Sequence, residues 1–268
     1  MRSAFWDIII DMYTDAHCHL THPDWNGAMP EAINRARKGG ITSWGLGGIE
    51  PKEWMSQIGL STDETLNKAV WKAFGLHPWW VAKASAADID AALKQLDEKL
   101  PQAKALGELG MDLHSHPETR AAQEAAFGRQ LDLAKKHKKP LVLHVVKGHT
   151  EVLKGLKARN KTWKGIVHRF SGNIAEAQAY TDLGLTLSIG GPDILRQART
   201  HGGLWRSIPL SNLVLETDAP WKDTSVALED QLAFLKEIAR TVGEAIQFPA
   251  DKLLATARKN LEGIFGTL

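Results

Sequence analysis

The sequence predicts an α/β fold, specifically a single-domain (β/α)8 TIM barrel. Short apolar runs alternate with longer amphipathic segments along the 268 residues, and no Pro/Ser-rich linker or low-complexity segment interrupts them. Eight of these runs have the character of strands, and eight parallel strands close a barrel. The predicted strands are residues 12–17, 41–46, 71–76, 103–108, 140–145, 164–168, 185–189 and 212–216.

Helical start and stop residues lie between these strands. Residues 86–100 form one predicted helix, which Pro101 ends, and the next helix begins at Pro117. Its apolar face repeats at Phe127, Leu131 and Ala134. The last predicted helix begins near Pro249 and ends at Gly266. One face of it holds Leu253, Ala257, Leu261 and Ile264.

The first predicted strand leads into two histidines, His17 and His19, that are one residue apart. Side chains alternate between the two faces of a strand, so both imidazoles point to one side. Cys18 points to the other side, and we predict that it fills the core rather than binding a metal. Two imidazoles aimed at one point can hold a metal ion, although such a pair also arises by chance among eleven histidines.

Later predicted strands also end in imidazole or carboxylate groups. Residues 103–108 end in Glu108, and the strands near 140–145 and 164–168 reach His144 and His168. The last strand leads to Glu216 and Asp218. Active sites of such barrels lie at the carboxyl ends of the strands, so these side chains are expected to converge. Neutral nitrogen and anionic oxygen donors are what divalent cations prefer, which predicts a metal site.

The composition bounds the class of protein. Hydrophobic residues make up 43% of the chain, enough for a large core, and a net charge of +2 neither indicates nor excludes nucleic acid binding. The only cysteine excludes an intrachain disulfide and fits a reducing compartment. The short, acidic run at residues 4–11 does not predict a secretory leader, and no segment has the apolar length that a membrane helix needs. We expect a cytoplasmic monomer without membrane contact, with residues 1–11 as an extension and 12–268 as the barrel domain.

Six ordered motifs and Asn260 resemble the TatD-like metal-dependent hydrolases, which belong to the amidohydrolase-type barrel superfamily. The similarity spans roughly residues 13–265. The motifs are residues 15–19 (DAHCH), 75–78 (GLHP), 107–112 (GELGMD), 143–144 (LH), 168–172 (HRFSG) and 216–220 (ETDAP).

The resemblance implies two adjacent divalent-metal sites that share a glutamate, filled by Mg²⁺, Zn²⁺ or Mn²⁺. It also implies a nuclease that acts from DNA ends, in which His77 contacts the scissile phosphate. The implied metal ligands are His17, His19 and Asp218 at one site, His144 and His168 at the other, and Glu108 as the bridge. We predict that Asp218 is the general base and that Glu108 is the second catalytic residue.

Two departures from the family pattern concern groups that would contact a phosphodiester. The family usually has an arginine two positions after the histidine at 144, where this chain has Val146. An Arg-Asn-x-Pro segment is also replaced, by residues 225–230 (SVALED). Lys147 and Arg169 are the candidate substitutes for substrate binding, although a lysine lacks the planar fork of arginine.

The strand-end candidates also have purely structural interpretations. Asp218 can cap a helix that follows the last strand. His144 and His168 can be hydrogen-bonded core histidines, and Glu108 can be a solvated carboxylate. Their recurrence at corresponding places favours a shared metal site.

Other polar residues near the strand ends are less specific. His77 is as consistent with a structural role as with substrate contact. His114, His116 and His149 can contact substrate but fit surface loops better. Asp112 fits a turn or a contact to a metal ligand.

Aromatic and basic residues add one hypothesis each. Trp79, Trp80, Phe170 and Trp221 follow predicted strands, so they can line the barrel mouth and stack on bases, although most of the ten tryptophans must pack in the core. The basic run from Lys154 to Lys164 is expected to solvate a helix and its following loop.

The leading functional hypothesis is a deoxyribonuclease that uses two divalent ions. The first alternative keeps the metals but hydrolyses a small ester, amide or lactone, because the same chemistry activates water for either electrophile. The second alternative is a metal-binding protein without turnover.

Overall fold

Eight parallel strands in sequential order form a nearly closed barrel, as the sequence predicts. The computed structural model describes residues 12–60 and 64–267, and the predicted extension at residues 1–11 lies outside this part. The strands are β1 (Tyr13–Cys18), β2 (Ile41–Leu46), β3 (Val70–Phe74), β4 (Ala105–Asp112), β5 (Leu141–Val146), β6 (Gly165–His168), β7 (Thr186–Gly190) and β8 (Leu213–Glu216).

Helices pack around the barrel and connect its strands. They are α1 (Met29–Lys38), α2 (Pro51–Gly59), α3 (Glu64–Asn67), α4 (Pro78–Lys83), α5 (Ala86–Lys99), α6 (Arg120–His137), α7 (His149–Arg159), α8 (Ile174–Asp182), α9 (Ile194–Ser207), α10 (Leu235–Ile246) and α11 (Ala250–Phe265). None of the helices in the described ranges has the length and apolar character needed to cross a membrane.

The predicted helix boundaries are close to the observed ones. A capping box at Ser85 starts α5, because its hydroxyl accepts a hydrogen bond from the Asp88 backbone. The helix predicted from Pro117 begins with a 3-10 turn, Pro117–Thr119, before α6. Pro249 precedes α11, and Gly266 follows it with a φ of 79°. Proline and glycine therefore mark the ends of this last helix as predicted.

Buried apolar residues form a continuous core within the barrel and beneath the helices. Cys18 is fully buried among them, as predicted. Asn260 fixes the last helix to the barrel, since its amide nitrogen donates to the backbone oxygens of Leu210 and Leu213 at 2.7 and 2.9 Å. The basic residues between Lys154 and Lys164 lie on the outside of α7 and the loop after it.

The carboxyl ends of the first and last strands are joined by the backbone of two candidate residues. Asp218 N donates to His17 O at 2.8 Å, and His19 N donates to Ala219 O at 2.7 Å. The loop after β8 is therefore held directly against β1. This contact places residues from opposite ends of the chain side by side at the barrel mouth.

Three candidate residues do not terminate their strands, which corrects the prediction. β4 continues to Asp112, so Glu108 lies in the middle of this strand. β1 and β5 likewise continue past His17 and His144. Sequence patterns missed the extension of β4 because Glu108, Gly110 and Asp112 interrupt its apolar run.

Candidate metal centre

Glu108 lies at the centre of a cluster that contains all six predicted metal ligands. Its carboxylate is almost fully buried near the carboxyl end of the barrel. Two groups of donor atoms surround it, and each carboxylate oxygen faces a different group. This arrangement matches the shared glutamate that the family resemblance implies.

The first group consists of His17, His19 and Asp218, together with one oxygen of Glu108. Glu108 Oε1 lies 3.5 Å from His17 Nε2 and 3.4 Å from His19 Nε2. Asp218 Oδ1 lies 3.7 and 3.5 Å from the same two nitrogens. Ligand atoms of a tetrahedral ion with bonds near 2.1 Å are about 3.4 Å apart. The four atoms therefore fit a single divalent ion.

The second group faces the other oxygen of Glu108. Oε2 lies 3.0 Å from His168 Nε2 and 3.8 Å from His144 Nδ1, and these two nitrogens are 2.9 Å apart. His77 Nε2 lies 3.9 Å from the same oxygen. This side therefore presents three imidazoles.

Outer carboxylates identify which ring nitrogens can bind a cation. Glu53, Asp112 and Glu216 face the remote nitrogens of three histidines. The distances are 3.6 Å for His19 Nδ1 to Glu53, 3.4 Å for His144 Nε2 to Asp112, and 3.5 Å for His168 Nδ1 to Glu216. When these rings are neutral, a proton on the remote nitrogen lies beside a carboxylate, and the opposite nitrogen can bind a cation. Burial lowers the pKa of His168, but Glu108 and Glu216 outweigh it and raise that pKa to about 10, so cation binding must displace protons.

His77 has the opposite arrangement. Its Nδ1 accepts a hydrogen bond from Trp79 N at 3.0 Å, so a neutral imidazole carries its proton on Nε2. Burial, aided by the neighbouring His144, holds the pKa of His77 well below its usual range and keeps the ring neutral. His77 therefore presents a hydrogen-bond donor to the site. This suits contact with a substrate oxygen better than metal ligation.

Buried polar atoms without hydrogen bonds test whether a cation fits the cluster. Both ring nitrogens of His17 and Oε1 of Glu108 are buried without a hydrogen-bond partner. A Cβ atom at Gly47 would come within 2.7 Å of His17, His19 and Glu108 atoms, so only glycine leaves the cluster room. Unsatisfied donors and acceptors are costly in a protein interior, and a divalent ion would satisfy them.

The histidines also control the ionisation of Glu108 and Asp218. Burial favours the neutral form of Glu108, but the positive charge that the surrounding imidazoles carry when protonated, first His17 and then His168, outweighs it and holds the pKa of Glu108 well below the usual range. Burial of Asp218 is likewise outweighed, by His19 and by Arg169, and its pKa is lowered. Both carboxylates are anionic at neutral pH, as cation ligands must be.

Comparison with known proteins now decides the family. The family model described as TatD related DNase matches residues 14–266, nearly all of the chain. The chain belongs to this family. A 3′-5′ ssDNA/RNA exonuclease TatD of Klebsiella pneumoniae is 30% identical over 264 residues, covering 94% of this chain and 97% of that protein.

Another TatD-family relative has a solved structure. The uncharacterized metal-dependent hydrolase YjjV of Escherichia coli is 28% identical over 212 residues, 79% of this chain and 81% of that protein. The crystal structure of YjjV superposes on 97% of this chain, and the match includes 100% of the YjjV chain. The TM-score is 0.83 and the sequence identity is 26%. TatD-family membership supports a metal-dependent hydrolase, which agrees with the donor cluster around Glu108.

The loop after β8 excludes one structural interpretation of Asp218. No helix begins at residues 217–221, so Asp218 does not cap one, and its backbone φ is 57°. Asp15 holds this loop by accepting hydrogen bonds from Thr217 N and Oγ1. This fixed loop turns Asp218 toward the donor cluster.

Asp15 itself is fully buried. Burial raises the pKa of Asp15 to about 8 despite the hydrogen bonds that it accepts from Thr217.

The two predicted cationic substitutes lie at the mouth in different surroundings. Arg169 Nη1 donates to Asp218 Oδ2 at 3.1 Å, and its Nη2 lies 3.5 Å from Asp193. Lys147 is exposed on the loop after β5. Val146, which replaces the arginine usual in the family, is half-buried at the end of the same strand. Arg169 is thus already paired with carboxylates.

His114 and His116 lie in the loop after β4 as predicted, whereas three of the other loop candidates are buried. His149 is buried, contrary to its predicted place in a surface loop, and its Nδ1 lies 3.1 Å from the Tyr180 hydroxyl. Phe170 and Trp221 are buried, which leaves Trp79 as the exposed member of the predicted aromatic group. Trp80 is half-buried.

Sequence reasoning missed Glu53 as part of the metal centre. It lies on α2 rather than at the end of an apolar run, and its other oxygen accepts a hydrogen bond from Ile49 N at 2.9 Å. The double glycine at 47 and 48 directly after β2 was the available signal that backbone approaches the site there.

Proposed function

We propose that the protein hydrolyses phosphodiester bonds of single-stranded DNA with two divalent ions, Mg²⁺, Mn²⁺ or Zn²⁺. The observation that carries this proposal is the carboxylate of Glu108, whose two oxygens face separate groups of metal-binding atoms. The printed names of the TatD exonuclease relatives support nucleic acid as the substrate. A cytoplasmic location and a monomeric state stay predictions.

The chemistry is assigned to side chains around Glu108. Two adjacent divalent ions lower the pKa of water and stabilise charge on an attacked phosphorus and its leaving oxygen. Asp218 acts as the general base, because its Oδ1 belongs to the first donor group while Arg169 orients its Oδ2. The Nε2–H of His77 donates to a non-bridging oxygen of the substrate, which stabilises the negative charge.

A small ester, amide or lactone is the second candidate substrate. The observation that favours it is that, among the residues the structure describes, Val146 replaces an arginine and Arg169 is paired with two carboxylates at the mouth. A phosphodiester would have to draw Arg169 from these carboxylates or be bound through Lys147.

A panel assay tests the proposal. The purified protein is stripped of metal, reloaded with Mg²⁺, Mn²⁺ or Zn²⁺, and given labelled single-stranded DNA beside small esters, amides and lactones. We expect DNA hydrolysis that requires the added ion and falls by at least about 10³-fold in Asp218→Asn, because an amide cannot take the proton. Circular dichroism of the variant checks that it is folded.

Each result separates the candidate functions. Hydrolysis of small esters or lactones without DNA cleavage rejects the nuclease and supports the second candidate. Metal binding without any turnover supports the non-enzymatic alternative. DNA cleavage that survives in Asp218→Asn rejects Asp218 as the base.

A further inference from the structure

Trp79 combines high exposure with a fixed side chain. Its side chain is at the start of α4, and the residue is 47% exposed. Among the large apolar residues that are exposed in the described part of the chain, it is the one aromatic residue. A single exposed apolar residue is ordinary, so the significance of Trp79 depends on how its indole is held.

Both N–H groups of Trp79 are bound to the surroundings of the metal centre. Its backbone N–H donates to His77 Nδ1 at 3.0 Å, and its indole Nε1 donates to Asp112 Oδ2 at 2.6 Å. Asp112 is buried and is the same carboxylate that faces His144. The indole is therefore held in one orientation before any ligand arrives, which lowers the entropic cost of binding.

The indole also lies close to two histidines of the proposed reaction site. Its ring centre is 4.8 Å from that of His77 and 5.9 Å from that of His144. In a nucleotide, one sugar separates the base from its phosphate. A phosphate beside His77 would therefore bring its base to the level of the Trp79 ring.

We infer that Trp79 is the stacking platform for the nucleobase next to the scissile phosphodiester. This inference rests on the proposed function and specifies its substrate-binding site. Base–aromatic stacking depends little on sequence, because every base has a π-face. Stacking also contributes affinity that does not depend on the arginine that Val146 replaces.

Paired oligonucleotides test the platform. One is a short single-stranded DNA with all its bases, and the other lacks the base next to the cleaved bond. Binding is measured by fluorescence anisotropy in an Asp218→Asn background, so that turnover does not consume the probe, and cleavage is measured separately with Asp218 present. We expect the base to improve binding about tenfold when Trp79 is present and to have almost no effect in Trp79→Ala.

Two further variants separate stacking from other effects. Trp79→Phe keeps an aromatic face but loses the donor to Asp112, so it should retain a preference of about threefold for the intact oligonucleotide. Leu195→Ala removes another exposed apolar side chain, 53% exposed at the start of α9, and should retain the full preference. Comparing two oligonucleotides on one variant cancels any change in metal content.

The outcomes distinguish this inference from the proposed function. The platform is rejected if Trp79→Ala keeps the preference, if the protein with Trp79 has none, or if Leu195→Ala loses it equally. A Trp79-dependent preference in binding without any DNA cleavage would support the platform while rejecting the nuclease.

Discussion

At the scale of single residues, the state of each imidazole is set by what its outer nitrogen contacts. His19, His144 and His168 have carboxylates at their outer nitrogens, whereas the outer nitrogen of His77 accepts a backbone N–H. The inner nitrogens of the first three rings can therefore bind a cation once these rings are neutral, whereas His77 presents a proton. Histidines of one cluster thus divide into ligands and a donor.

Asp112 gives a direct test of this division. Asp112→Asn replaces an acceptor oxygen with an amide, which orients His144 less firmly, and we expect the affinity for the second ion to fall about 10- to 100-fold. Metal titration by isothermal calorimetry measures it.

Ser115→Ala is the matched control, because the Ser115 hydroxyl donates to Asp112 without touching His144. Its metal affinity should be close to that of the unmodified protein. Equal affinities for Asp112→Asn and Ser115→Ala would show that Asp112 does not orient His144.

Sequence reasoning at this scale reached the cluster and, in its surroundings, the contact of Asp112 with a metal ligand. Histidines and carboxylates at the ends of apolar runs are local signals, so their convergence follows from barrel geometry. Glu53 and the link from Trp79 to Asp112 depend on loops whose paths no short pattern records. The burial of His149 depends in the same way on packing against Tyr180.

At the scale of elements, the position of Glu108 depends on how closely β4 approaches β5. The Gly110 backbone has a φ of 146°, and a Cβ atom there would lie 1.9 Å from the backbone oxygen of His144. β4 and β5 can therefore approach each other only because this residue is glycine. Gly110 pairs with His144 in this sheet, and Glu108 lies two residues before Gly110 at an irregularity of the pairing.

Gly110→Ala should separate these two strands. Strain at this φ and the clash with β5 together predict a loss of roughly 3 kcal/mol in the free energy of unfolding. Urea denaturation of the metal-free protein measures it.

Gly263→Ala is the control, because this position in α11 has open space around it. Alanine is favoured over glycine in a helix, so the control should be neutral or slightly stabilising. A Gly110→Ala protein as stable as the control would contradict the close approach.

Element boundaries were predictable where proline, glycine or a cap marks them, as at both ends of α11. They were wrong at β4, where tertiary pairing with β5 extends the strand through a glycine. The pairing partner of a strand is a long-range property, which explains why the local pattern ended at Glu108.

At the scale of the whole molecule, one buried histidine outside the metal centre couples stability to pH. Burial lowers the pKa of His149, with Glu176 opposing the shift and Lys147 adding to it. The unfolded chain therefore binds a proton at this residue at a higher pH than the folded chain does. The stabilisation from the neutral imidazole is fully present above the pKa of histidine in the unfolded chain, about 6.5. It is lost as the pH falls toward the lower pKa of His149 in the folded chain.

His149→Gln should reduce the acid sensitivity of the fold. Glutamine cannot gain this charge, so the loss of stability between about pH 7 and pH 5 should be smaller than in the unmodified protein. Thermal unfolding of the metal-free proteins across this range measures it.

Tyr180→Phe removes the hydroxyl beside His149 but keeps the imidazole buried, so its pH dependence should stay. If His149→Gln and the unmodified protein lose stability in parallel, the buried imidazole is not the source.

The central claim is that Glu108 joins two cation sites, and anomalous X-ray diffraction from crystals grown with Mn²⁺ measures it most directly. The account predicts two adjacent peaks. One lies between His17, His19 and Asp218, the other lies beside His144 and His168, and each is within bonding distance of a different oxygen of Glu108. An anomalous map without a peak at Glu108, or with peaks only elsewhere, would contradict it.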